Sequence, residues 1–132
     1  HIAEPAMRWI ASSSLAWRPG SGEPLPLIAF DRECLFQRCA TQALDRAGIA
    51  WRTAFTSPSL AGLWAAAAAG LGVTVRTGLG LPSTVRALDH VAAGLPALPP
   101  LSLELLRASS VSRPPVERLA GLIIESLQNG AT

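Results

Sequence analysis

A chain of 132 residues, 49% hydrophobic and 15% charged, can bury a core without disulfides or metal and is too apolar to be a disordered tail. Its formal charge of +2 sets eleven arginines against nine acids with no lysine, and the arginines are scattered singly. That argues against a basic nucleic-acid stripe, and the longest apolar run, residues 61–75, is glycine-broken and too short to span a bilayer.

So little charge leads us to expect that part of the surface is covered by a partner or by the rest of a longer protein. Cys34 and Cys39 are the only cysteines. On a helix their spacing points them to different faces, which disfavours a disulfide. With only His1 and His90 as further soft ligands, no metal site assembles, and the expectation is two reduced thiols in a cytoplasmic protein. No secretory signal is visible.

In chain order, residues 7–13 (MRWIASS) alternate as a strand, and residues 18–26 form a turn-rich connector with three prolines and two glycines. Residues 27–30 read as a short buried strand. An amphipathic helix is predicted over 33–47, with Phe36, Ala40, Ala43, Leu44 and Ala47 on its apolar face and Gly48 closing it. Residues 51–56 form the next strand.

Residues 57–82 (SPSLAGLWAAAAAGLGVTVRTGLGLP) carry the most information. Ser57 is a suitable N-cap with Pro58 in the first helical position, the alanine run propagates a helix, and Gly70 ends it. Strand character returns at 73–76. Beyond it we expect a short helix over 82–91, a stiff connector at 94–100 (GLPALPP), a strand over 101–108 and a closing helix. In the last, Val116, Leu119, Ala120, Ile123, Ile124 and Leu127 keep one apolar face, with Gly130 just beyond. Strands alternating with helices predict an α/β sheet with parallel pairs.

The glycine pairs Gly70/Gly72 and Gly78/Gly80 do not form a dinucleotide site, because the first pair follows a helix and precedes a strand. No nucleophile, base and orienting acid can be assembled, so no catalytic residues are expected. Thr56, Ser57 and Ser59 at a helix start have two readings: helix capping alone, or capping combined with a carboxylate site. The tryptophans are expected mainly in the core, although Trp9 and Trp17 could wall a pocket.

With these pieces in order, the chain resembles the effector-binding region of a LysR-type transcriptional regulator. The resemblance is carried by EPAMRWIAS (4–12), LPLIAFDRECLFQRCATQALDRAGIAWRTAF (25–55), SPSLAGLWAAAAAGLGVTVRT (57–77), GLPALPPLSLEL (94–105) and PPVERLAGLIIESL (114–127). The wording around 65–82 is most similar to regulators of the motility and virulence-repressor branch. The resemblance implies a lobe like those of type 2 periplasmic binding proteins, with a mixed sheet flanked by helices. The chain corresponds to a truncated effector-binding domain. Residues from about 13 to 105 would be its second lobe, and 106–132 the returning segment and C-terminal helix. MRWIAS and LSLELLRAS would be the two crossover strands. The DNA-binding winged helix-turn-helix and most of the first lobe would lie outside this chain.

The same resemblance places effector contacts at Thr56, Ser57 and Ser59, at Ser13 near the first crossover, and at Val75, Arg76 and Thr77. It implies a small-molecule effector such as an organic acid, no cofactor, DNA contact only through the other domain, and no membrane contact. It also implies a homo-oligomer in which the helix 33–47 and strand 51–55 meet the first lobe of a second subunit. The closing helix, uncovered, would make the chain associate. Two other readings stand beside this one: a fragment of a periplasmic-type solute-binding protein, and an unrecognised enzyme.

Overall fold

The computed structural model describes residues 3–106 and 113–130. Nine elements follow in order: β1 (Met7–Ala11), β2 (Leu25–Phe30), α1 (Leu35–Arg46), β3 (Trp51–Ser57), α2 (Leu60–Ala68), β4 (Thr74–Thr77), β5 (Arg86–Ala87), α3 (His90–Ala93) and α4 (Pro114–Gly130).

β2 and β3 pair in parallel, as the intervening helix requires, and β1 pairs antiparallel with β4 on one side and β5 on the other. Val73 joins these two sheets. Its amide donates to Pro26 O and its carbonyl accepts from Ile28 N, both at 2.9 Å, in a parallel bridge to Leu27. The result is a mixed sheet in the order β3, β2, β4, β1, β5.

The helices take opposite faces. On one, Ala40 and Leu44 of α1 bury with Met7, Trp9, Leu25, Leu27, Val73 and Val75. On the other, Leu63, Ala66 and Ala67 of α2 bury with Ile10 and Ile28. Consecutive right-handed crossovers running first one way along the sheet and then back place successive helices on opposite faces. Of the expected apolar face of α1, Ala40, Ala43 and Leu44 are buried and Phe36 is half-buried, while Ala47 is the exposed C-cap; Leu35 stays outside that face.

Several boundaries differ from expectation, each for a local reason. The cap of α2 is Ser59, whose side chain accepts from Gly62 N at 3.1 Å, while Ser57 ends β3 in a ladder with Phe30. β1 stops at Ala11, where Ser12 turns the chain through Leu15 N to Ser12 O. The helix expected over 82–91 does not form before His90. Arg86 and Ala87 pair with Ala11 and Ile10 instead, and Leu88 N donates to Trp9 O at 2.7 Å. That exposed strand edge recruits a segment whose own helical preference is weak. α3 follows, capped by Asp89, and His90 Nδ1 meets Leu95 O, a structural role.

The strand expected over 101–108 is reduced to isolated antiparallel bridges, Pro100 to Ala6 and Leu103 to Ala3, and residues 107–108 lie outside the described ones. Proline at 99 and 100 offers no N–H to a continuous ladder. α4 forms as expected and includes Gly130. Of its apolar face only Ala120 is buried; Val116 and Leu119 are exposed. Both cysteines are free thiols, with Cys34 at the N-cap of α1 and not within it.

Candidate functional site

The parallel strands end together. Phe30 closes β2 opposite Ser57 of β3, and Arg76 and Thr77 close β4 on the far side of β2. Chain leaving β2 runs towards β3, whereas chain leaving β4 runs the other way, to β5. A crevice outside the carboxyl ends of strands whose connections diverge is where open α/β sheets bind ligands. Both long helices of this half begin at the same end, α1 after Cys34 and α2 after Ser59.

The hydroxyls here are tightly arranged. Ser57 is buried; its Oγ donates to Ser59 O at 3.1 Å and accepts from Ser59 N at 3.2 Å. Ser59 in turn satisfies Gly62 N through its side chain and Leu63 N through its carbonyl. The amides of Leu60 and Ala61 precede these and have no acceptor within the helix. Thr56 is exposed on β3, and Thr77 Oγ1 accepts from Leu79 N at 3.4 Å.

Arg76 is the charged member of the edge. Its guanidinium carbon lies 4.6 Å from the Phe30 ring centre and 4.7 Å from that of Phe36. Phe30 packs with the α2 cluster and Phe36 with the α1 cluster, so one side chain ties both layers together at the strand ends. Burial lowers the Arg76 pKa from its ordinary value, and the neighbouring Cys34 acts the other way. An arginine remains charged regardless at any ordinary pH. Its Nε is buried without a hydrogen-bond partner. Arg32 stands over Phe30 as well, at 4.9 Å.

The expected site residues therefore divide. Thr56, Ser57, Ser59, Arg76 and Thr77 share the carboxyl edge. Val75 belongs to β4 but is buried in the α1-side core opposite Trp9. Ser13 is not at this edge. β1 runs antiparallel to β4, so Met7 lies beside Thr77 and Ser13 follows the far end of the strand. There it lines a separate cavity of about 170 Å³ with Trp17, Arg86 and Leu95.

Sequence reasoning missed Phe30 and Arg32. An aromatic and an arginine at the close of a buried strand was the available signal.

A larger cavity of about 400 Å³ also lies at the amino ends, lined by Leu15, Trp17, Glu23, Pro26, Arg52 and Leu71. It is open, and no helix N-terminus of this half converges there. We place the site at the carboxyl edge on chemistry, not on cavity size. Among the described residues no cluster of metal-ligating side chains occurs, and no helix is long and apolar enough to cross a membrane.

This architecture, a mixed α/β lobe with its crevice at the carboxyl edge, defines a ligand-binding class of fold. The chain belongs to the LysR substrate binding domain family, whose model matches residues 1–128. It is 33% identical over 99 residues to the HTH-type transcriptional regulator PecT of Dickeya dadantii (strain 3937), covering 75% of this chain and 30% of PecT. It is 38% identical over 100 residues to the HTH-type transcriptional regulator DgdR of Burkholderia cepacia, covering 76% of this chain and 32% of DgdR. The matches thus span about a third of each regulator.

Among solved structures, the CcmR regulatory domain of Synechocystis PCC6803, in complex with 2-PG, superposes with a TM-score of 0.57 at 13% identity, over 97% of this chain and 65% of that one. The PA01 protein of Pseudomonas aeruginosa, assigned to the LysR regulators, gives 0.57 and 13% over 94% and 46%. These likenesses show the fold: a LysR-type, periplasmic-binding-protein-like lobe.

Proposed function

We propose that this chain is the ligand-sensing part of a LysR-type transcription factor and not an enzyme. One lobe of its effector-binding domain takes in β1, which lies between β4 and β5 in the sheet, so it begins before the expected residue 13 and runs to about 105; 106–132 act as the returning segment and C-terminal helix. The observation that carries the reading is the convergence of Ser57, Ser59, Arg76 and Thr77 at the carboxyl ends of β2, β3 and β4, where the strand connections diverge. Helix N-terminal amides, small hydroxyls and one fixed cation favour a small organic acid. The CcmR regulatory domain, solved with 2-PG, is consistent with such a ligand.

The mechanism is differential binding. An effector held between this edge and a facing lobe stabilises one arrangement of the two and so repositions winged helix-turn-helix domains in a cytoplasmic homo-oligomer. DNA is contacted by those domains and not by this lobe, whose arginines form no stripe. MRWIAS, expected as a crossover, is instead the central strand β1; the segments bridged at Ala3/Leu103 and Ala6/Pro100, next to the amino end of β1 and hence on the crevice side, take the crossover role. Val75 supports the crevice from within, and Ser13 lies outside it.

Thermal scanning of the regulator against a library of small acids tests the reading. A ligand that binds only the folded state at a hundred times its Kd adds about 2.7 kcal/mol. We expect saturable stabilisation by at least one acid, weakened in Ser57→Ala and in Thr77→Ala. Hits whose response is unchanged in both variants would place the effector elsewhere.

A further inference from the structure

Two guanidinium groups lie against one ring at the crevice, and among the described residues no ion pair to a carboxylate is formed by either. Arg32 lies 4.9 Å and Arg76 4.6 Å from the centre of Phe30. Glu33, the next acid along the chain, is paired with Arg38 at 3.7 Å. Among the described residues, Asp31 forms no ion pair with either arginine. Two cations gathered about one ring favour an anion that reaches both.

The stacking also restricts how such an anion is held. A ring face covers a guanidinium from above, so the charge is presented through its in-plane N–H edge, the geometry that suits carboxylate and phosphate oxygens. Arg76 is held by a second ring, Phe36, at 4.7 Å, and is half-buried; Arg32 is exposed. One cation is therefore pre-set and the other is free to swing onto a ligand. The void lined by Phe30, Cys34, Phe36, Thr74 and Arg76 has a volume of about 10 Å³, room for one water and for no organic acid. The anion accordingly sits outside that void, on the open edge.

We propose that Arg32 and Arg76 form a two-pronged clamp selecting small dianions, whether dicarboxylates or phosphates, over monocarboxylates. The clamp deepens the effector-cleft reading above and rests on it for its physiological meaning.

The test titrates malonate, inorganic phosphate, acetate and neutral malonamide into the regulator, following the side-chain Nε–H resonances of Arg32 and Arg76. Malonate or phosphate is expected to saturate and to bind roughly tenfold more tightly than acetate, the ratio that one added charge-assisted hydrogen bond supplies. Malonamide should leave both resonances unmoved. Which dianion binds better separates the dicarboxylate from the phosphate source. In Arg32→Gln the preference for dianion over acetate should collapse to about one, because only the pre-set cation remains. In Arg76→Lys, affinity for every anion should fall, since an ammonium lacks the planar fork. Arg32 is exposed, so its variant decides the matter even if Arg76→Lys folds poorly.

Equal affinities for acetate and malonate, a dianion preference that survives Arg32→Gln, or shifts that never saturate would each overturn the clamp. If library acids depend on Ser57 while dianions show no preference, the clamp falls and the cleft stands. Dianion binding at the arginines with no Ser57-dependent library hit leaves the clamp and removes the effector reading.

Discussion

At the scale of single residues, the contact between Ser57 and Gly62 explains why α2 starts where it does. A Cβ at Gly62 would collide with Ser57 Oγ and lie 2.9 Å from Ser57 Cβ. The first turn of α2 thus closes directly on the buried hydroxyl that ends β3, and only glycine leaves room. Gly62→Ala should destabilise the chain by about 1–3 kcal/mol, the usual cost of overpacking. Urea denaturation in a double-mutant cycle checks the cause: the penalty should shrink in a Ser57→Ala background, where the Oγ is gone. An undiminished penalty would point to crowding elsewhere in the first turn, since alanine itself favours the helix. This contact was hidden in the sequence, where Ser57 looked like the cap itself. The Phe30–Arg76 stack was hidden for a different reason, since it joins residues of separate strands. Ser13, placed with the site by the family resemblance, follows the other end of β1, because β1 runs antiparallel to β4.

Elements bounded by local chemistry were legible. Gly70 ends α2 as expected, at φ +79° beside Ser14, while its start, read at Ser57, falls two residues later at Ser59; the apolar steps of α1 and α4 follow directly from periodicity. Only one of the two serines before α2 is the cap, and the difference is measurable. Ser59→Ala should cost about 1 kcal/mol through loss of the bond to Gly62 N. Ser59→Gly should cost only a few tenths, because glycine retains the cap geometry. Thermal unfolding of both variants distinguishes a cap from a merely packed side chain, for which glycine would be the worse replacement. Elements that exist through tertiary pairing were not legible. β5 is two residues long and owes its extended form to the free edge of β1, a partner far off in sequence.

For the whole molecule, the alternation of strands and helices was enough to predict an α/β sheet with parallel pairs, the family resemblance supplied its mixed character, and the order of its strands was not legible. The covering of α4 was not predictable. Its expected apolar face is divided, with Ala120 buried and Val116 and Leu119 exposed at 47% and 59%. Leu122, at 56%, extends the exposed set. We expect the chain to self-associate through this stripe. Light scattering over a concentration series should show a rising mass that Leu119→Glu with Leu122→Glu abolishes. A constant monomer mass at high concentration would sink the expectation.

The single bridge at Val73 has a consequence for how this lobe tolerates changes of length. The loops after Ala11 and Thr77 join elements without fixing a register, so residues can be added or lost there at modest entropic cost. Between the bridge and Arg76 there is no such slack. Strand side chains alternate, so one inserted residue after Val73 would rotate Arg76 from the Phe30 side to the Trp9 side and carry Val75 out of the core. The spacing of three from Val73 to Arg76 therefore acts as a ruler. Gene-level insertions and deletions can reshape this lobe almost anywhere on its rim, while that interval must be inherited intact for the cation to stay over its ring.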